Sequence, residues 1–438
     1  MKKLSFVLLL CFALLLSACG TAAPAAPESA GTAAQGEQKA EIRFENGGAK
    51  VQGGGAKADG AVVTIAAAGT YTVSGSAENG QLVVDTGDDA LNVRLVLDNL
   101  TLGNPADAVI LIRQAKNVYL SVPAGSRSVL TSGTEADLER FDGTQNGAVI
   151  FSEDDLILEG EGELELRGYI NNGITCKDDL LITGGTLTVL AASNGLRGSE
   201  SVTVEGGTVT ITAGNDGVKS TSSTKAGKGY VTLSGGSLTI RAGGDGVSAE
   251  TVLTVSGTAL DIVAEGDGLE QSSKALKAEN EIVISGGTLT LRATEDAIRC
   301  ALGDVTVSNG TLTVQTEADG IQAGEKGSGL GTITVSGGTV AVSAGKRALH
   351  ARGSLTLDGG TVLFCAGAAG QEEPGGALPH LFERVPGTAG DRLSLDGSDL
   401  GLEAAGSFLI AFYADASLVR GQSYTFAFGP RSVYAAAK

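Results

Sequence analysis

Acidic and amide residues recur at a regular spacing, mostly just before a glycine, in the middle of this 438-residue sequence. The positions are Asn172, Asn194, Asp216, Asp245, Asp267, Asp296 and Asp319, and the same register ends at the basic residue Arg347. If each repeat forms one coil of a solenoid, these side chains stack at the strand spacing of about 4.8 Å. Stacked carboxylates repel one another unless a cation or hydrogen bonds compensate them. The spacing therefore predicts a column of carboxylates that needs compensation.

Ca²⁺ is the cation that such a column would select, because Ca²⁺ takes several oxygen ligands and bridges neighbouring carboxylates. The predicted Ca²⁺ ligands are Asp216, Asp245, Asp267, Glu270, Glu295, Asp296 and Asp319. A second interpretation stays open. Asn-Gly and Asp-Gly are common turn sequences that tolerate left-handed backbone, and a ladder of such residues can simply hydrogen-bond from coil to coil.

A second column lies three residues after the first. Its predicted members are Thr175, Arg197, Lys219, Ser248, Glu270, Arg299, Gln322 and His350. Arg197, Lys219 and Arg299 are the predicted carbohydrate-binding residues, because guanidinium and ammonium groups pair with the carboxylates of an acidic polysaccharide. The alternative is a solvated face whose mixed charges only relieve the acidic column.

The elements that position these columns are short strands. In residues 208–213, Val209 and Ile211 alternate with threonines, and other repeats show the same alternation between aliphatic and polar residues. This period of two is typical of strands with one buried face. A repeat of 22 residues holds two clear strands and a third short one. The sequence therefore predicts an all-β fold, a right-handed parallel β-helix solenoid with a C-terminal β cap.

Three longer repeats contain insertions of about seven residues after Asp216, Asp267 and Asp319. If the insertions fall at one coil position, they form loops along one edge of a common groove, and such loops often mark a binding face. After about Cys365 the period ends and aromatic residues become frequent, which predicts a cap that plugs the open end of the coil.

The N-terminal segment is typical of a bacterial lipoprotein signal. Lys2 and Lys3 precede an apolar run, and Leu16-Ser17-Ala18-Cys19 resembles a lipobox, which implies cleavage before Cys19 and lipidation of its thiol. The expected organisation is a signal peptide at 1–19, a flexible tether at 20–40, the β-helix at 41–365 and the cap at 366–438. The protein is then extracytoplasmic, lies at the cell surface, and meets the membrane only through its lipid anchor.

Composition excludes several functions. The formal net charge of −19 argues against nucleic acid as a partner. The body of the chain has three cysteines, two histidines and no CxxC, so a structural zinc site or a Cys/His nucleophile is not expected. Lys219 or Arg299 beside Asp216 or Asp296 are candidates for the base of a lyase, but the sequence singles out no catalytic residue.

Several segments resemble a known family. They include "FSEDDLILEGEGELEL" from Phe151, "NGITCKDDLLITGGTLTV" from Asn172 and "DGLEQSSKALKAENEIVISGG" from Asp267. They are similar to a family of bacterial secreted carbohydrate-binding proteins with pectate-lyase-like β-helices. The resemblance covers about residues 60–365. It implies Ca²⁺ and polysaccharide binding without established lyase activity.

These observations leave three hypotheses for the function. The first is a lipid-anchored, monomeric protein that binds an acidic, pectin-like polysaccharide with the help of Ca²⁺. The second is a polysaccharide lyase-like enzyme on the same fold. The third is a structural or adhesive surface protein.

Overall fold

The structure is a computed structural model that describes residues 38–138, 147–266, 272–325, 327, 330–368 and 370–438. The signal peptide with Cys19, and the tether up to residue 37, lie outside the described residues. Within the described ranges, none of the helices has the length and apolar character needed to cross a membrane. The described residues belong to one compact unit, Gly36–Lys438.

The chain is built almost entirely of strands. The N-terminal elements are β1 (Gln38–Glu45), β2 (Gly48–Gly53), β3 (Ala56–Asp59), β4 (Val62–Ile65), β5 (Gly69–Ala77), β6 (Gln81–Asp85), β7 (Asn92–Asn104), β8 (Ile110–Gln114), β9 (Asn117–Val122), β10 (Arg127–Ser132) and the short helix α1 (Glu135–Leu138). The next are β11 (Ala148–Ser152), β12 (Asp155–Gly160), β13 (Glu163–Gly168), β14 (Asn172–Cys176), β15 (Asp179–Ile182), β16 (Thr186–Ala191), β17 (Leu196–Gly198), β18 (Ser201–Val204), β19 (Thr208–Ala213), β20 (Val218–Ser220), β21 (Tyr230–Leu233) and β22 (Ser237–Ala242).

The repeat continues through β23 (Val247–Ala249), β24 (Val252–Val255), β25 (Ala259–Ala264), β26 (Leu276–Ala278), β27 (Glu281–Ile284), β28 (Thr288–Ala293), β29 (Ile298–Cys300), β30 (Asp304–Val307), β31 (Thr311–Thr316), β32 (Ile321–Ala323), β33 (Ile333–Ala344), β34 (Leu349–Ala351) and β35 (Leu355–Ala366). The C-terminal strands are β36 (His380–Glu383), β37 (Arg392–Leu395), β38 (Ser398–Glu403), β39 (Ile410–Ala414), β40 (Ser423–Phe428) and β41 (Arg431–Ala436).

Each coil contributes one strand to each of three stacks, and like strands pair in parallel. For example, β17 pairs with β20, β18 with β21, and β19 with β22. The first strand of each triplet belongs to a separate sheet, here called the short-strand sheet because its strands from β17 onward have only three residues. Its described strands follow the order β3-β4-β6-β8-β11-β14-β17-β20-β23-β26-β29-β32-β34. These observations confirm the prediction of an all-β parallel solenoid.

The alternation of aliphatic and polar residues builds the core. Val209 and Ile211 of β19 are 1% exposed and stack on Leu238 and Ile240 of β22, while the threonines between them face outward. The inward aliphatics of successive coils form one continuous core from Ala40 to Ala414. Cys176 and Cys300 are free thiols at 0% exposure on the inner side, which confirms that they fill small buried positions.

Antiparallel strands close the first coil. β1 pairs in parallel with β5, but its other edge pairs with β2 in the opposite direction, and β3 covers β4 in the same way. The unpaired edge is thereby moved to β2, whose residues are all partly or fully exposed and include Lys50 and Gln52. A short polar edge of this kind discourages edge-to-edge association.

The sequence predicts that the C-terminal aromatics plug the coil, and the structure corrects this in part. Phe412 of β39 stacks on Phe364 at 4.6 Å and does join the main core. Phe408, Tyr424, Phe426 and Phe428 instead belong to a second core. That core packs on the outward side chains Ala341, Leu363 and Cys365, so most of the cap covers an outer face of the last coils.

The two kinds of glycine in the repeat have different roles. Gly207 has a φ of 86°, and the second residue of most other Gly-Gly pairs is also left-handed. Gly217, which follows Asp216, has no positive φ; a Cβ there would lie 2.4 Å from Cγ2 of Ile240 and 2.6 Å from the carbonyl oxygen of Gly246. The glycine after the acidic residue is therefore selected by close packing between coils. The left-handed backbone that the alternative turn interpretation assumed does not occur at Gly217.

Candidate functional site

A hydrogen-bonded ladder runs along one edge of the short-strand sheet. The ladder consists of the residues two before each inward apolar residue of β14, β17, β20, β23, β26, β29, β32 and β34. Along it, Oδ1 of one rung accepts the main-chain N–H of the next: Asp216 from Asp245 at 2.8 Å and Asp296 from Asp319 at 3.1 Å. The same bond joins Asn172 to Asn194 at 2.9 Å. The Asn and Asp side chains of the ladder thus satisfy main-chain donors at a buried corner, where an unpaired N–H is costly.

One rung differs from the prediction. Leu276 pairs with Val247 on one side and with Ile298 on the other, so the rung between Asp245 and Asp296 is Lys274. Its N–H donates to Oδ1 of Asp245 at 2.9 Å. The assignment of this rung to Asp267 was wrong, and with it the uninterrupted column of five aspartates. Asp267 and Glu270 themselves lie outside the described residues.

The rung is Lys274 and not Asp267 because of the length of the turn that follows the short strand. From β14 onward, two or three residues separate the short strand from the next strand where no insertion follows it, and Leu276–Ala278 leaves two before β27. Ala278 also fills the buried position of Ala249 and Cys300. The second insertion therefore precedes its short strand, whereas 221–229 and 324–332 follow theirs. The expectation that all three insertions line one edge was wrong.

The second column of the sequence analysis lies on the outward side of the short-strand sheet and is called the cation column below. The strand pairings fix which residues it contains. It consists of Thr175, Arg197, Lys219, Ser248, Lys277, Arg299, Gln322 and His350. Lys277 takes the place predicted for Glu270. The column thus holds four cations rather than three.

Most of these cations pair with the ladder. Nζ of Lys219 lies 2.6 Å from Oδ2 of Asp216, three residues earlier in the sequence. The guanidinium of Arg299 repeats the arrangement at 2.9 Å from Oδ2 of Asp296 and also contacts Glu325 at 2.6 Å. Lys277 lies 3.8 Å from Oδ2 of Asp245. The cations therefore compensate the charge of the ladder.

Arg197 is the exception. It occupies the same position relative to the ladder, but the rung three residues earlier is the neutral Asn194, whose amide donates to Oδ1 of Asn172 at 2.9 Å. Arg197 is partly buried and, among the described residues, has neither an ion pair nor a side-chain hydrogen bond. Its guanidinium is therefore available to an external anion.

At the C-terminal end the ladder is fully compensated. Asp319 is 3% exposed, and Arg347 and His350 both contact its Oδ2, at 2.7 and 2.9 Å. Burial alone would raise the pKa of Asp319, but the hydrogen bonds and charge of Arg347 outweigh it and lower the pKa. Burial, together with the charge of Arg347, also lowers the pKa of His350. This end carries an ionised carboxylate that is already saturated with donors.

The ladder does not fit a Ca²⁺ site. Asp216, Asp245, Asp296 and Asp319 each use Oδ1 to accept a main-chain N–H and Oδ2 to pair with a cation. Glu295, another predicted ligand, pairs with Lys274. Burial alone would raise the pKa of Glu295, but the hydrogen bond and the charge of Lys274 outweigh it and lower the pKa. Within the described ranges, no group of three or more acidic, His or Cys side chains is placed to hold a metal ion. The Ca²⁺ hypothesis stays a prediction that rests on Asp267 and Glu270.

The ion pairs also bear on the candidate bases. A general base must present a free nitrogen to the proton that it removes, and a carboxylate at hydrogen-bond distance occupies that nitrogen. Lys219 and Arg299 both have such a partner. The buried thiols offer no nucleophile either, because burial raises the pKa of Cys300 to about 11 and that of Cys365 to about 12.

The sequence matches the family described as "Carbohydrate-binding domain-containing protein" over residues 59–315 and 301–411. The chain belongs to this family. A relative in Acetivibrio thermocellus with the same description is 34% identical over 191 residues, which cover 43% of this chain and 65% of the relative. The chain thus aligns with slightly less than two thirds of that relative's length.

A solved structure shows a similar fold. It is the gadolinium derivative of the polysaccharide lyase-like protein from C. thermocellum, with a TM-score of 0.51 and 33% identity. The similarity covers 57% of this chain and 99% of the other. Both the ladder and the cation column fall within the residues that match the carbohydrate-binding family.

The structure adds site residues that the sequence analysis missed. Lys274 belongs to the ladder and Lys277 to the cation column only because the structure places the short strand at Leu276–Ala278. Phe151 also lies on the outward column, because it pairs with Thr175, which in turn pairs with Arg197. Extending the register upstream from Ile174 to Ile150 would have identified Phe151 from the sequence.

Proposed function

We propose that this member of the carbohydrate-binding family is an extracytoplasmic lipoprotein that binds an acidic polysaccharide along its cation column. The observation that carries the proposal is the unpaired guanidinium of Arg197 beside Asn194. A guanidinium forms two parallel hydrogen bonds with a carboxylate, which gives both affinity and orientation. The uronic acid of a pectin-like polymer presents such a carboxylate on each sugar.

The local charge pattern supports recognition at a defined place. A net charge of −19 repels polyanions in general. At physiological ionic strength this repulsion is screened beyond about 8 Å. A polysaccharide carboxylate at Arg197 lies next to Lys219, whose charge Asp216 already balances. Within the cation column, Arg197 is thus the position where an added anion meets an uncompensated cation.

Isothermal titration calorimetry with polygalacturonate and with a neutral glucan tests the proposal. We expect polygalacturonate to bind in the presence of EDTA, because the ladder carboxylates have protein partners. Arg197→Ala should weaken binding at least about tenfold, since a hydrogen bond to a charged group contributes about 1.5–3 kcal/mol. Arg241→Ala, which removes an exposed arginine from β22 on another stack, is the matched control and should leave the affinity unchanged.

Three results would contradict the proposal. Equal binding of the neutral glucan would remove the role of the carboxylate. Unchanged affinity in Arg197→Ala would remove the role of this residue. Loss of binding on addition of EDTA, with restoration by Ca²⁺, would show that binding depends on a metal ion and not on Arg197 alone.

A further inference from the structure

The cation column continues into an apolar region toward the N-terminus. In the short-strand sheet, Arg197 pairs with Thr175, Thr175 with Phe151, and Phe151 with Leu111. The residue beyond Leu111 in the same column is Val83. Phe151 is partly exposed, although β11 buries its neighbours on either side. The outer face of one sheet therefore carries an aromatic ring and an unpaired cation in a single line.

The ring of Phe151 is covered lightly. Nζ of Lys177, an exposed residue, lies 5.7 Å from its centroid. Tyr119, on the neighbouring stack, offers a comparison. Arg94 lies 4.6 Å above its ring, and the guanidinium is held there by an ion pair with Glu159. A ligand can displace the exposed Lys177 from Phe151, whereas the ring of Tyr119 is sealed by a tethered arginine.

The separation of Phe151 and Arg197 suits an extended polysaccharide. They are two strands apart in the sheet, which corresponds to about 9.6 Å. A hexose in an extended chain is about as long as one strand spacing. A polysaccharide that runs along the solenoid axis would therefore place one sugar over each coil. The middle sugar would lie above Thr175, which is 3% exposed and accepts a hydrogen bond from Asn172, so the contacts come from the residues on either side.

We propose that Phe151 and Arg197 are two subsites of one groove that runs parallel to the solenoid axis. The ring of Phe151 stacks on the C–H face of one sugar, and Arg197 binds the carboxylate of the sugar two positions along the chain. Stacking of this kind uses the apolar body of the ring. The inference rests on the proposed function and adds to it an aromatic subsite, a direction for the polymer and a minimum length of three sugars.

Calorimetry of the full chain with galacturonate oligomers of two to six sugars tests this geometry. We expect the affinity to rise sharply from the dimer to the trimer, because the trimer is the shortest oligomer that reaches both subsites. Phe151→Leu should lower trimer affinity about tenfold, roughly 1.4 kcal/mol, and Phe151→Trp should preserve it. Tyr119→Leu is the matched control, and its affinity should equal that of the wild type.

The failures of the two proposals are distinguishable. If the wild type binds and Arg197→Ala weakens binding while Phe151→Leu does not, the aromatic subsite is overturned and the proposed function stands. A gradual rise in affinity without a step at the trimer overturns the coil-by-coil register. If the wild type binds no oligomer and no polygalacturonate, both proposals are overturned. Circular dichroism and thermal melting of each variant establish that the solenoid is intact.

Discussion

Asn194→Asp, a single substitution in the ladder, should weaken binding of the polysaccharide at Arg197. At Asp216 and Asp296 a ladder carboxylate pairs with the cation three residues later, at 2.6 and 2.9 Å. An aspartate at position 194 can copy this geometry and pair with Arg197. Its Oδ1 can still accept the N–H of Asp216, now bonded at 3.3 Å. The substitution therefore gives the guanidinium of Arg197 an ion-pair partner within the protein.

The expected change in stability is small because two effects oppose each other. A partly exposed ion pair contributes about 0.2–1 kcal/mol. The lost hydrogen bond from Asn194 to Asn172, at 2.9 Å, is worth roughly 0.5–1.5 kcal/mol. The effect on binding is larger, because the ligand carboxylate now competes with the introduced carboxylate and loses about 1.5–3 kcal/mol, or roughly 10- to 100-fold in affinity.

Calorimetry with polygalacturonate, together with denaturant unfolding, measures both quantities. Asn172→Asp is a useful companion, because it places the new carboxylate one rung away from Arg197, the arrangement in which Lys277 lies 3.8 Å from Asp245, compared with 2.6 and 2.9 Å for the pairs within one coil. We expect the companion variant to lose less affinity than Asn194→Asp. The reasoning is refuted if Asn194→Asp folds normally and binds as tightly as the wild type, since Arg197 would then not be the anion subsite.

Two further predictions concern the ladder and the anchor. Asp245→Ala should destabilise the fold by about 1–3 kcal/mol, because it leaves the N–H of Lys274 and the hydroxyl of Ser272 without their acceptor, whereas Asp245→Asn keeps Oδ1 and should cost less. Urea unfolding checks this, and equal losses in the two variants would show that charge, not the acceptor, is what matters. Cys19→Ser should release the protein from the membrane fraction of a bacterial host, because the proposed lipid is attached to this thiol; retention of the variant in that fraction, measured by immunoblot, would argue against the lipobox.

The sequence contained most of the information about the fold. Strict alternation, as in Thr208–Ala213, places aliphatics inside and threonines outside whatever the neighbouring coils do. Repetition of that pattern allows the coils to stack in register, so the parallel solenoid could be predicted without any long-range information. Arg197, Lys219 and Arg299 could be assigned to one column for the same reason.

The tertiary structure decided which residues share a rung when two registers compete. Both Leu269 and Leu276 follow a polar residue at the right distance, and only the pairing of Leu276 with Val247 and Ile298 selects Lys274 over Asp267. The alternation of residues within one coil cannot decide between Leu269 and Leu276. The decision depends on the turn to β27 and on the buried position that Ala278 shares with Ala249 and Cys300. The misplaced rung also produced the overestimate of negative charge in the column.

What the sequence by itself determined is the inward and outward assignment of each strand residue, since a period of two is a property of the strand alone. The pairing of charges was decided by tertiary structure. The compensation of Asp216, Asp245, Asp296 and Asp319 depends on side-chain atoms that meet across coils, and so does the isolation of Arg197 beside a neutral Asn194. The sequence shows that these four residues are carboxylates, and only the structure shows that both oxygens of each already have a donor or a cation beside them.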